Sequence, residues 1–206
     1  MDNQKSLEII SQMIADTSNQ IERNSGKYFI AWGYTTIAVS IFEYFVMCLH
    51  LNPILIWAWW LIPVIGGVAT IILARNQTPT PKSYVDRSIS AVWAVFGTSS
   101  LYAFVAAVVY STSMFYLIVL LMGMGTVITG AICQHRKLTL CGAIAMLLSL
   151  IFPIKHIALK NIGAEALQST SEWLIYSDII IFAVIFLVMM VIPGHIMNCK
   201  SKKSLC

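Results

Sequence analysis

Charged side chains are scarce in this sequence. Lys, Arg, Asp and Glu make up 11% of its 206 residues, whereas 58% of the residues are hydrophobic. A soluble domain usually carries about 25% charged residues, and a chain with so few could not cover its own surface with polar groups. The composition therefore excludes an ordinary soluble globular domain.

Catalytic and metal-binding patterns are also missing. The five cysteines form no CxxC pair and have no histidine at ligand spacing, and the sequence contains no HExxH, GxSxG or Walker motif. The first 27 residues lack the apolar core of a cleaved signal peptide. We therefore predict a protein that is not an enzyme, holds no cofactor or metal, and inserts through its first apolar segment.

Long apolar segments separated by short polar connectors are the main feature that the sequence does have. A helix of about 20 apolar residues crosses the ~30 Å hydrocarbon core of a bilayer. The segments are too long and uniform for alternating barrel strands. The sequence therefore predicts an all-α transmembrane bundle in residues 28–192, preceded by an N-terminal amphipathic cytoplasmic helix (1–27) and followed by a basic cytoplasmic tail (193–206). The six predicted spans are 28–49, 54–74, 88–110, 114–133, 138–154 and 172–192.

The N-terminal segment has apolar side chains at alternating steps of three and four residues, which is typical of an amphipathic helix. Its candidate partner-docking residues are Leu7, Ile10, Ile14 and Ile21. Acidic residues slightly outnumber basic ones there, whereas a helix that binds lipid is usually rich in Lys and Arg. The pattern favours contact with a protein partner or a second copy of the chain, with simple packing under the bundle as the alternative.

The positive charges indicate the orientation. Eleven of the thirteen Lys and Arg residues lie in the N-terminal segment, the second and fourth connectors and the tail. Positively charged loops remain on the cytoplasmic side, so we expect both termini to be cytoplasmic. Lipid headgroups account for these charges, and we expect no direct binding of nucleic acid.

Small residues in the fourth span, Gly123, Gly125 and Gly130 with Thr126 and Thr129, form a face suited to close helix packing. A backbone-lined pore or substrate site is the alternative interpretation. The pair Gly66 and Gly67 in the second span favours close packing in the same way.

Two carboxylates, Glu43 in span one and Asp178 in span six, fall inside predicted spans at similar depth. Burying a charged carboxylate there costs several kcal/mol, so each must be protonated, hydrogen-bonded or in contact with a wet cavity. The candidate polar partners are Tyr44, Tyr176, Lys155, His156 and His50. The pair either forms structural hydrogen bonds across the helices or binds a cation or proton. An inverted repeat, which transport would favour, is not evident.

Several phrases resemble one group of proteins: KSLEIISQMI, FIAWGY, SYVDRSIS, LLMGMGTVITG and VIPGHIMN. The chain is similar to small multi-pass inner-membrane proteins of Bacteroides-type bacteria. The resemblance implies a location in the bacterial inner membrane and a winged-helix transcription regulator as cytoplasmic partner, contacted through residues 6–23. We therefore expect a regulatory or scaffolding protein, with a second copy of the chain as a further candidate partner. The alternative is a small cation- or proton-coupled transporter that uses the membrane carboxylates.

Overall fold

The computed structural model describes residues 26–76, 84–110, 114–161 and 172–203. The predicted N-terminal helix, with its docking residues Leu7, Ile10, Ile14 and Ile21, lies outside these described residues.

Every regular element in the described residues is helical. The elements are α1 (Gly26–Cys48), a 3₁₀-helix (Pro53–Trp60), α2 (Leu61–Arg75), α3 (Tyr84–Tyr110), α4 (Met114–Ile132), α5 (Arg136–Leu148), α6 (Ile151–Asn161), α7 (Glu172–Phe186), a π-helical turn (Leu187–Val191) and α8 (Ile192–Lys203). They combine into six segments that are long and apolar enough to cross a membrane. The prediction of an all-α bundle with six spans is confirmed.

The sixth span, from α7 through the π turn to α8, lies at the centre of the bundle. In its most apolar stretch 56% of the residues are buried, whereas the share is 6% in each of spans two and three. Its side chains Phe182, Ile185, Met189 and Met197 are almost fully enclosed and form much of the hydrophobic core. Spans one, four and five pack around this helix, and spans two and three lie at the periphery with their apolar faces exposed.

Two prolines lie inside helices that the sequence predicted would end beside them. Pro153 occupies the first turn of α6, where a missing N–H leaves no helical bond unmade, and the helix continues to Asn161. Pro193 follows the π turn, in which the N–H of Ile192 donates to the carbonyl of Leu187. This wider turn gives the proline ring room, so span six continues past residue 193 instead of giving way to the tail there.

Glycines bring α1 into close contact with the sixth span. A Cβ atom added at Gly33 would lie 2.7 Å from Val191 Cγ2, and one at Gly194 would lie 2.8 Å from Ile30 Cγ1. Contacts this short allow no side chain, so the two antiparallel helices meet almost backbone to backbone. The first and the last span of the transmembrane domain are thereby held together.

The predicted small-residue face of α4 packs against its neighbours. A Cβ at Gly123 would lie 2.7 Å from Met146 Cγ on α5, and one at Gly130 would lie 2.6 Å from the backbone nitrogen of Thr139. Gly66 on α2 lies against the Trp32 ring, but no heavy atom of the described structure comes within 4 Å of a Cβ at Gly67.

One arrangement of Trp, Gly and Thr occurs in both of the first two helix pairs. Between α1 and α2, the Trp32 indole donates to Thr70 Oγ1 at 2.9 Å, and that hydroxyl donates to the Gly66 carbonyl at 2.8 Å. Between α3 and α4, Trp93 donates to Thr129 Oγ1 at 3.2 Å, and the hydroxyl donates to the Gly125 carbonyl at 2.7 Å. We call each set a Trp–Gly–Thr clamp. The two pairs run in the same direction, as in a parallel internal repeat.

Candidate functional site

Glu43 belongs to a row of polar side chains on the buried face of α1. Thr36, Ser40 and Glu43 follow each other at steps of four and three residues, which places them on one side of the helix. Their exposed fractions are 1%, 0% and 0%. We call this row the inner polar stripe. It points into the bundle, where the surrounding side chains are mainly apolar.

The hydroxyl groups of the stripe bond within their own helix. Thr36 Oγ1 donates to the Trp32 carbonyl at 2.9 Å, and Ser40 Oγ donates to the Thr36 carbonyl at 2.8 Å. Because each hydroxyl has one proton to donate, neither has a proton left to donate to the carboxyl group of Glu43. Both hydroxyl groups of the inner polar stripe therefore have a hydrogen-bond acceptor within α1.

The carboxyl group of Glu43 differs from every other buried polar side chain of the described residues. Neither of its oxygens has a hydrogen-bond partner in the part of the chain that the structure describes. The backbone N–H of Trp59, on the 3₁₀-helix, lies close enough to interact weakly with this carboxyl, but its geometry falls short of a hydrogen bond. A buried polar group left unbonded costs about 1–3 kcal/mol, so this arrangement calls for an explanation.

Asp178 lies in a different environment, because it has a cation beside it. Lys155 Nζ on α6 lies 2.7 Å from Asp178 Oδ1 and donates to Ser177 Oγ, also at 2.7 Å. The side chains of Lys155 and Asp178 are 14% and 29% exposed. This ion pair joins spans five and six, and it balances the charge of the second membrane carboxylate.

A cavity of about 450 Å³ opens beside these residues, at the end of the bundle opposite the first residue of α1 and the last of α8. Met47, one turn after Glu43, and Asp178 contribute to its lining. The rest of the wall is largely aromatic, from Trp57, Trp59, Trp60, Phe104, Phe115 and Tyr176. Trp59 therefore belongs to the cavity wall on one side and faces Glu43 through its backbone on the other.

Trp59 is held in place by other rings. Its centroid lies 5.5 Å from that of Phe115 and 6.0 Å from that of Phe182 in the sixth span. Three tryptophans at the start of a membrane span are typical of an aromatic belt at the interface. The structure instead turns Trp59 partly into the core, while Trp57 is 65% exposed.

The remaining candidate residues lie apart from Glu43. Tyr44 is half-buried, with its ring 6.0 Å from that of Phe45. His156 and His50 are exposed on the surface. Among the described residues, no hydrogen bond or ion pair connects Glu43 to Asp178 or Lys155. The structure thus brings Asp178 and Tyr176 together in the cavity wall, with Lys155 paired to Asp178 from outside the lining, and leaves Glu43 outside the wall.

Sequence reasoning missed Thr36 and Ser40 as members of the site. The signal was their spacing from Glu43, which repeats every three to four residues and thus marks one helix face. Ser177 was missed because its contact with Lys155, 22 residues away in the chain, depends on how the helices pack.

Six apolar helices with polar groups in their interior define a multi-pass helical membrane protein. The sequence matches no protein-family model and no curated protein, and the structure matches no solved structure.

Proposed function

We propose that the protein is a small, non-enzymatic cation- or proton-coupled carrier of the bacterial inner membrane, in which Glu43 takes up and releases a proton or a cation. One observation carries the proposal. Glu43 is 0% exposed, and neither of its oxygens has a hydrogen-bond partner among the described residues. A carboxyl group used only for structure would be expected to bond a neighbour.

The chemistry follows from the surroundings of Glu43. An unpaired carboxylate in an apolar interior costs several kcal/mol, so the buried state favours the protonated acid. When the acid releases its proton, the negative charge needs a cation nearby. Uptake of a proton and uptake of a cation therefore compete at one carboxyl group, which is the condition for coupling the two.

Asp178 has a different role in this scheme. Its charge is balanced by Lys155 at 2.7 Å, so it does not form a symmetric pair of acids with Glu43. The ion pair holds spans five and six together and sets the local charge of the cavity. Glu43 remains the group whose charge can change without breaking an existing bond.

A proton-leak assay tests the proposal. The protein is reconstituted in liposomes that enclose a pH-sensitive dye, and a pH gradient is imposed with and without a cation gradient. We expect the native chain to dissipate the gradient when the cation is present and Glu43→Gln, which keeps the size of the side chain, to abolish this activity. Asp86→Asn, at the start of α3, is the matched control and should behave like the native chain. Equal activity in Glu43→Gln would overturn the proposal.

A regulatory or scaffolding role is the second candidate. The apolar row Leu7, Ile10, Ile14 and Ile21 favours it, since such a row suits docking of a cytoplasmic protein, a winged-helix regulator by resemblance, or a second copy. Crosslinking in membranes followed by mass spectrometry compares the full chain with one that lacks residues 2–24. Capture of the same partners by both chains would contradict this role.

A further inference from the structure

The cavity near Glu43 is a half-open groove with the volume of a small-molecule site. Its volume of about 450 Å³ lies within the ~300–1,000 Å³ that ligand pockets occupy. Six aromatic side chains contribute to its wall. Such a wall suits a hydrophobic ligand, and the faces of its rings carry partial negative charge.

The charged side chain in the cavity lining is negative, like the faces of the aromatic rings. Asp178 is part of the cavity wall, whereas Lys155 is not among the lining residues and contacts the carboxylate from α6. A ligand in the cavity therefore meets aromatic faces, which attract cations, and an Asp178 carboxylate whose charge Lys155 balances from outside the lining. An anion of the same shape would be repelled by the ring faces and would meet no cationic side chain among the described residues of the lining.

The cavity adjoins Glu43 through an unusual element. The 3₁₀-helix Pro53–Trp60 is eight residues long and contains no fully buried residue, although 3₁₀ segments rarely exceed three or four residues. Trp59, in this element, separates the cavity from the Glu43 carboxyl. Coupling between the cavity and Glu43 therefore requires this element to move.

We propose that this cavity binds a hydrophobic organic cation, of the ammonium or phosphonium class with aromatic or aliphatic substituents, and that this cation is the cargo exchanged for the proton of Glu43. The inference rests on the proposed function. One positive charge enters as one proton leaves, so the charge of the site stays constant during the exchange.

Binding of tetraphenylphosphonium to the purified full chain in detergent tests the ligand class, with empty micelles as background. Tetraphenylborate has nearly the same shape and the opposite charge. We expect the phosphonium to bind at least about tenfold more tightly than the borate, as cation–aromatic and carboxylate attraction require. Equal binding of the two ions, or none of the phosphonium, would overturn the inference.

Variants locate the site. Trp57→Leu should weaken phosphonium binding severalfold, while Phe42→Leu, an exposed aromatic on α1 outside the cavity lining, should leave it unchanged. Asp178→Asn should weaken binding and Lys155→Met should strengthen it, because the second change frees the carboxylate. A purely structural role for the ion pair would make both changes weaken binding. Size-exclusion profiles and thermal unfolding confirm that each variant is folded, and an unfolded Lys155→Met leaves the Trp57 and Asp178 variants to decide.

The outcomes separate this inference from the proposed function. If proton flux depends on Glu43 but the phosphonium does not bind, the cavity inference is wrong and the proposed function stands. If the phosphonium binds equally at low and high pH and in Glu43→Gln, the cavity stands as a binding site and coupling to Glu43 is wrong.

Discussion

Lys155 Nζ lies 2.7 Å from Asp178 Oδ1, and this contact makes the two membrane carboxylates unlike. Asp178 has a cation beside it, whereas Glu43 lies in the interior without a hydrogen-bond partner among the described residues. The difference decides which carboxyl can exchange a proton, and it leads to predictions for each.

The Lys155–Asp178 pair should show strong coupling in a double-mutant cycle. Lys155→Met and Asp178→Asn alone each leave a partly buried group without its partner, and we expect each to lower the free energy of unfolding by about 1–3 kcal/mol. The double variant should lose less than the two effects added together. Thermal unfolding in detergent measures all three. Additive losses would show that the two side chains do not interact.

Glu43→Met should stabilise the protein while removing its transport activity. A buried carboxyl without a partner opposes folding, and an apolar side chain of similar size removes that cost, so we expect a gain of about 1–3 kcal/mol in the free energy of unfolding. The midpoint of thermal unfolding should rise. A lower midpoint would mean that Glu43 makes a stabilising contact, which would contradict the environment described above.

Gly33→Ala should be destabilising because the added Cβ would lie 2.7 Å from Val191 Cγ2 and 3.1 Å from Met190 Cβ. The helices must separate to accept it, at a cost of about 1–3 kcal/mol. Gly97→Ala is the matched control, since no described heavy atom lies within 4 Å of its Cβ. That change should be neutral or slightly stabilising. Equal unfolding midpoints for the two variants would refute the close contact between α1 and the sixth span.

The two Trp–Gly–Thr clamps should contribute similarly. Thr70→Val and Thr129→Val each remove the hydroxyl that accepts from an indole N–H, and we expect each to cost about 1 kcal/mol. Thr98→Val serves as the control, because the Thr98 hydroxyl donates only to carbonyls of its own helix. Unfolding in detergent again provides the measurement. If Thr98→Val lowered the free energy of unfolding as much as Thr70→Val, the clamps would not be a specific source of stability.

The orientation proposed from the positive charges can be tested with thiol labelling. Leu51→Cys places a thiol in the exposed connector between spans one and two, while the native Cys199 lies exposed at the other end of the bundle. In intact cells, a membrane-impermeant maleimide should label Cys at 51 in a chain without other cysteines. In a second chain that keeps Cys199 as its only cysteine, labelling should occur only after permeabilisation. The reverse pattern would place the termini outside the cell.

The transmembrane architecture could be predicted because hydropathy acts along the chain. An apolar stretch of sufficient length has few alternatives to a helix in lipid, so the six spans and both carboxylates were visible in the sequence. Proline was less informative. Its effect at Pro193 depends on the preceding turn, and the π turn that accommodates it has no local sequence signature.

The site was predicted less completely because its contacts join distant residues. Lys155 and Asp178 were candidates by depth, but their pairing depends on how α6 and α7 pack. The position of Trp59 depends on Phe115 and Phe182, which belong to two other spans. The repeated clamp escaped detection because Trp32 and Thr70 are 38 residues apart, whereas Trp93 and Thr129 are 36 apart.

Each Trp–Gly–Thr clamp joins two helices that are consecutive in the chain. The contacts of a clamp can therefore form as soon as its second helix has been synthesised, before the central sixth span exists. We expect the first four helices to leave the translocation channel as two pre-assembled hairpins. The sixth span would then pack against helix pairs that have already formed.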